Sequence, residues 1–135
     1  MIAVAASVVA FVGACGDDSG SSLELSAAGA EGRRVANSQA ACGSCHGRDG
    51  QGGVGPAFVG LYGSQVELDD GTTVVADETY LEESIRDPNA KRAAGITSVM
   101  PETNLDDDEI AAIITYIKEL AGPAEPAGRP AGDQP

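Results

Sequence analysis

Two thiols three positions apart with an imidazole directly behind them, Cys42-Gly43-Ser44-Cys45-His46, restrict this chain more than any other feature. The run is the attachment pattern of a c-type haem. Each residue has a task in that chemistry. The Cys42 and Cys45 thiols add across the vinyl groups of a haem to give thioethers, their spacing lays one turn of chain along the porphyrin edge, and His46 is delivered to the iron as proximal ligand. A redox dithiol and half of a zinc site are the other readings of the pair. The dithiol belongs in a βαβ context, which this Gly-rich sequence lacks. Tetrahedral zinc takes four ligands, and Cys42, Cys45 and His46 are the obvious candidates unless a carboxylate joins them.

Haem iron has two axial positions. His46 is the only histidine, so two histidines of this chain cannot fill both. Met1 lies in a segment that reads as removed, which leaves Met100 as the only thioether of the mature protein. Pro101 disfavours helix at the residue before it and restricts Met100 to extended geometry, from which a sulfur can project across a porphyrin. The alternative for Met100 is irregular core filler.

A chain of 135 residues allows one small domain. Apolar residues make up 42 % of it, partly in the N-terminal segment, and aromatics only 4 %. The core is therefore thin, and a buried porphyrin would supply the missing hydrophobic mass, so the haem-free polypeptide is expected to be unfolded or molten. The net charge of −13 makes nucleic acid and anionic membrane surfaces poor partners. Its distribution is uneven. Residues 32–60 carry Arg33, Arg34 and Arg48 against Asp49, and residues 88–101 carry Lys91 and Arg92 with no acid. This is either an ordinary soluble acidic surface or a basic rim that docks an acidic partner site.

Residues 1–14 read as a signal segment. Ile2 to Ala14 are apolar or small, and the run is shorter than the ~20 residues a membrane span needs. Its ending, Val12-Gly13-Ala14-Cys15, resembles a bacterial lipobox, in which Cys15 would be acylated; an ordinary cleaved signal and an uncleaved anchor are the alternatives. Residues 15–28, rich in Gly, Ser and Asp, read as a flexible tether. Residues 29–121 form the folded domain, and residues 122–135 read as a disordered Pro/Ala/Gly tail.

Within the domain the clearest element is the last helix. Asp106 as N-cap and Glu109 complete a capping box, Asp107 and Asp108 complement the helix dipole, and Ile110, Ile113, Ile114, Ile117 and Leu120 recur at helical spacing before Gly122-Pro123. The acidic run is thus a cap rather than a metal site. A shorter helix is expected from about Thr79 to Arg86, with Leu81 and Ile85 on one face. Val66 to Val75, with Asp70-Gly71 in the middle, suits a small hairpin. A first helix before Cys42 is weakly patterned, with Val35 its only large aliphatic. The run Gly50-Gln51-Gly52-Gly53-Val54-Gly55 satisfies a dinucleotide fingerprint but lacks its context, since the thiol motif precedes it and Pro56 follows. Backbone that wraps a flat cofactor closely accounts for those glycines, and no nucleotide is expected.

With Cys42-Gly43-Ser44-Cys45-His46-Gly47, Val54-Gly55-Pro56, Gly60-Leu61-Tyr62-Gly63, Ala76-Asp77-Glu78-Thr79-Tyr80-Leu81, Met100-Pro101 and Tyr116-Ile117-Lys118, the chain resembles class I monohaem cytochromes c. The narrower similarity is to the cytochrome domain fused to subunit II of bacterial haem-copper oxidases. The resemblance implies an all-α fold around one covalent haem c, with the first and last helices crossing beside it and Gly32 as the first helix's glycine. It also implies His46/Met100 ligation, with the Pro56 carbonyl accepting a hydrogen bond from the His46 ring and so orienting it. The copper-binding half of such a subunit is absent, so a detached carrier is expected. With both axial positions filled, no site remains for substrate, and the expected role is one-electron transfer rather than catalysis. The partners would be a quinol-oxidising complex as donor and a haem-copper terminal oxidase as acceptor. The location would be the outer face of the bacterial cytoplasmic membrane, through lipid on Cys15. A permanently bound haem subunit, a haem sensor and a peroxidase with an open sixth position are the rival roles.

Overall fold

The computed structural model describes residues 24–122. The signal segment, Cys15, most of the tether and nearly all of the Pro/Ala/Gly tail lie outside the described residues. In chain order the elements are α1 (Ala27–Ser38), α2 (Gly43–His46), β1 (Gln65–Glu67), β2 (Thr73–Val75), α3 (Glu78–Arg86) and α4 (Asp107–Leu120). Helices surround one core, with a single two-stranded hairpin among the described residues, which agrees with the expected all-α fold.

Helix α4 forms as its pattern demands. The Asp106 carboxylate accepts from the Glu109 N–H at 2.9 Å, and the Glu109 carboxylate accepts from the Asp106 N–H at 3.0 Å, which satisfies two otherwise orphaned donors. Its buried face carries the five expected aliphatics together with Tyr116. Against it packs α1, whose Val35 and Ala36 are each 1 % exposed. The helices approach so closely at Gly32 that a Cβ there would stand 1.9 Å from the Ala112 carbonyl oxygen. The crossing implied by resemblance is therefore present, and it explains why a helix with one large aliphatic is stable: it contributes small residues to a backbone-to-backbone contact.

Helix α1 begins at Ala27, within the segment 15–28 read as tether, so the ordered chain starts earlier than the sequence suggested. The cause is Ser26. Its hydroxyl accepts from the Gly29 N–H at 3.1 Å as N-cap, and both its N–H and its hydroxyl donate to the Glu119 carboxylate near the end of α4. A pin 93 positions away in sequence thus holds the start of the helix in place.

Helix α3 starts at Glu78, one residue before the expected Thr79, because Asp77 caps it by accepting from the Tyr80 N–H at 2.9 Å. Leu81 and Ile85 are buried as expected. The hairpin pairs Val66 with Val74 in antiparallel register. Gly71, at φ 83°, permits the turn, and the Asp70 carboxylate accepts from the N–H and hydroxyl of Thr72. The far side of the hairpin bears on the site: the N–H of Asp69 donates to the Arg92 carbonyl at 2.9 Å and that of Ala94 to the Glu67 carbonyl at 2.8 Å. Leu68, 4 % exposed, forms a bridge to Ala93. The hairpin thus fastens the start of the segment that leads to Met100.

Candidate metal centre

The chain leaves α1 through Ala41, a non-glycine residue at φ 50°, and enters the single turn of α2. Within that turn the Cys45 and His46 N–H groups donate to the Cys42 carbonyl at 3.0 and 2.9 Å, which points both thiols and the imidazole toward one cavity. Asn37 of α1 locks the turn in place by donating to the Arg33 and Arg48 carbonyls at 2.9 and 3.0 Å.

The Gly-rich loop then folds back over the motif. Gly52 N–H donates to the His46 carbonyl at 2.7 Å and Gly55 N–H to the Cys45 carbonyl at 3.0 Å. A Cβ on Gly53 would lie 2.8 Å from the Cys45 oxygen, and one on Gly55 2.8 Å from His46 Cε1. These glycines let backbone close upon the motif and its imidazole, a more specific reason than wrapping the cofactor itself.

His46 is 8 % exposed. Its Nδ1 stands 2.7 Å from the Pro56 carbonyl oxygen. A carbonyl only accepts, so Nδ1 carries the proton and Nε2 offers its lone pair, the tautomer a metal ligand needs. Phe58 stacks on the imidazole with ring centroids 4.5 Å apart and planes 18° from parallel. Cys42, Cys45, His46, Pro56 and Met100 all line the same cavity, whose walls are otherwise largely apolar. Cys15 lies outside the described residues.

The cavity fits a porphyrin on three counts. Its apolar wall, including Leu81, Ile85 and Ile96, suits a flat hydrophobic ring. Cys42 and Cys45 are free and half-buried on that wall, as two thiols that add to haem vinyl groups must be, and burial pushes the Cys42 thiol above its ordinary pKa. The hydroxyls of Ser84 and Thr103, also on the wall, are buried without a hydrogen-bond partner, which suits polar substituents of a bound ring. Zinc fits less well, since among the described residues no three His, Cys, Asp or Glu side chains converge to hold a metal ion.

The basic segments do not form a free positive rim. Arg33 pairs with Asp49 at 2.6 Å, Arg34 with Glu31 at 2.5 Å, Lys91 with Glu83, and Arg92 lies 4.0 Å from Asp69. Three of these acids sit outside the segments counted along the sequence, and folding brings them to the cations. Four of the five cations of the two segments thus meet an acid of the chain itself. Sequence reasoning also missed Phe58, Ser84 and Thr103. The only available signal for Phe58 was its rarity, as one of two phenylalanines.

Fold and cavity together define a small helical protein built to hold a covalently attached haem. A family model for cytochrome c matches residues 29–121, and the chain belongs to the cytochrome c family. Its cofactor is covalently attached haem c with iron, and its activity is haem-based electron transfer. No curated protein matches the chain.

Proposed function

We propose that the protein is a membrane-tethered one-electron carrier of a respiratory chain, with Cys42 and Cys45 as haem thioethers and His46 and Met100 as axial iron ligands. The observation that carries this reading is the presence of Met100 on the wall of the cavity into which His46 offers Nε2. When bound, haem supplies one-electron chemistry through a change of iron valence, and methionine ligation favours the ferrous state. The chain's own part is to hold the imidazole through Pro56, to exclude water with an apolar wall, and to present the cavity mouth to a partner.

The donor is a quinol-oxidising complex and the acceptor a haem-copper terminal oxidase. The likeness of Gly60-Leu61-Tyr62-Gly63 and Ala76-Asp77-Glu78 to the cytochrome domain of oxidase subunit II supports that acceptor. Acylated Cys15 would confine the carrier to the outer face of the bacterial cytoplasmic membrane. Beside Lys91 and Arg92, which also line the cavity, residues 50–61 and 93–101 carry no charge. Val54 and Val99 are 64 % and 67 % exposed there, and Ser98 joins the two strips by donating to the Val54 carbonyl at 3.3 Å. An uncharged collar of this kind supports docking through apolar contact.

The test is the visible spectrum of the holoprotein, oxidised and reduced, for wild type and Met100→Ala. The wild type is expected to show the methionine–iron charge-transfer band and no carbon monoxide binding; the variant loses the band and binds carbon monoxide. A wild type that is already high-spin and binds carbon monoxide would move the role to sensing or peroxidase chemistry. Co-purification with an oxidoreductase in mild detergent would make it a bound subunit.

A further inference from the structure

A hydrogen bond from Nδ1 to the Pro56 carbonyl, 2.7 Å long, sets the direction in which His46 points. It restrains the plane only in part, because a single hydrogen bond at the ring edge tolerates some turning of the ring about its Nε2 direction. The nearest flat surface is Phe58, whose ring lies 4.5 Å from the imidazole centroid and within 18° of its plane. That separation falls at the close end of the favourable range for aromatic pairs, about 4.5–7 Å.

Phe58 is itself held fast. It is 7 % exposed, and Tyr116 of α4 meets it edge-on at 6.5 Å and 87°. Its N–H donates to the Gly50 carbonyl at 2.7 Å. Gly50 is packed so tightly that a Cβ there would stand 2.9 Å from Phe58 Cβ and 2.6 Å from Leu120 Cδ1. A continuous set of close contacts therefore runs from α4 through Phe58 to the imidazole.

We propose that Phe58 is a positioning residue that sets the plane of the His46 imidazole about its bond to the iron. The plane has an electronic consequence. The ring's π orbital overlaps whichever iron d orbital lies perpendicular to it, so a fixed plane makes the ferric state magnetically uniform from one molecule to the next. The proposal rests on His46 being an iron ligand.

The test uses the ferric holoprotein, read by electron paramagnetic resonance and by the paramagnetic shifts of the haem methyl protons. In the wild type the imidazole plane derived from those shifts should lie nearly parallel to the Phe58 ring. Phe58→Leu keeps apolar bulk but removes the flat surface, and is expected to shift the g values and change the spread of methyl resonances. Phe58→Tyr should restore the wild-type pattern. Leu120→Ala loosens the same packing without offering or removing a surface to stack on His46; it should lower stability and shift the spectra less than Phe58→Leu does. A folded Phe58→Leu with wild-type spectra would overturn the proposal, as would a Leu120→Ala that shifts them equally. If Phe58→Leu does not fold, the wild-type plane decides: a low-spin wild type with the imidazole turned well away from Phe58 overturns the role of Phe58 alone. A wild type without the low-spin signature overturns the ligand assignment as well.

Discussion

Gly32 shows how much of this molecule depends on single atoms. A side chain there would put its Cβ 1.9 Å from the Ala112 oxygen, 2.5 Å from the Ala112 carbonyl carbon and 2.9 Å from Tyr116 Cβ. The first two are backbone atoms of a helix and have nowhere to go, so relief requires the helices to separate. Overpacking in a well-filled core costs about 1–3 kcal/mol, and backbone contact puts this site at the upper end. Gly32→Ala should therefore destabilise the holoprotein by about 3 kcal/mol, read as a fall in its denaturant midpoint with an unchanged slope. A midpoint equal to that of the wild type would mean the helices sit farther apart than the geometry shows. The glycine itself was legible in the sequence only through family resemblance. Nothing local distinguishes it from the other glycines, because its partner lies on another helix.

Among the elements, α4 is the one most fully specified by local chemistry. Its capping box closes within four consecutive residues, so its start could be read without knowing the fold. Asp106→Ala removes the side-chain acceptor of the Glu109 N–H and should cost about 1 kcal/mol in thermal or denaturant unfolding, while Asp106→Asn should cost less. Equal losses for the two would mean that charge near the helix start, rather than the cap hydrogen bond, supplies the stability. The hairpin is the opposite case. Its strands were expected, yet its tie to the Met100 segment depends on backbone bonds from Asp69 and Ala94, which no local pattern announces. The end of the tether was read two residues too late for the same reason, since Ser26 is held by Glu119 near the end of α4.

At the scale of the whole molecule, charge and docking separate. The chain carries a net −13, but the cations of the two basic segments largely face acids of their own chain. Exposed pairs of this kind contribute little and are screened by salt. Association with a purified bacterial haem-copper oxidase, followed by stopped flow, should accordingly depend weakly on ionic strength. Replacing both Val54 and Val99 by Asp should slow it by about tenfold, equivalent to about 1.4 kcal/mol, whereas Lys91→Gln should change it by less than about twofold. A steep loss of rate with salt, or a larger effect from Lys91→Gln than from the valine pair, would restore the basic-rim mode of docking.

The haem attachment run, the single histidine, the shortage of thioethers and the capped last helix were determined by the sequence alone. Covalent attachment, ligand identity and helix capping act through residue types and through neighbours a few positions apart, so they survive being read as a string. The tertiary structure alone decided that Phe58 lies flat against His46, that Gly55 leaves room for the imidazole, that the hairpin grips the approach to Met100, and that Arg33, Lys91 and Arg92 meet acids of the same chain. Each of these is a contact between groups brought within a few ångströms by the packing of α1 on α4 and the closure of the Gly-rich loop. Stacking, close approach and charge pairing depend on distance in space, which composition and spacing do not encode.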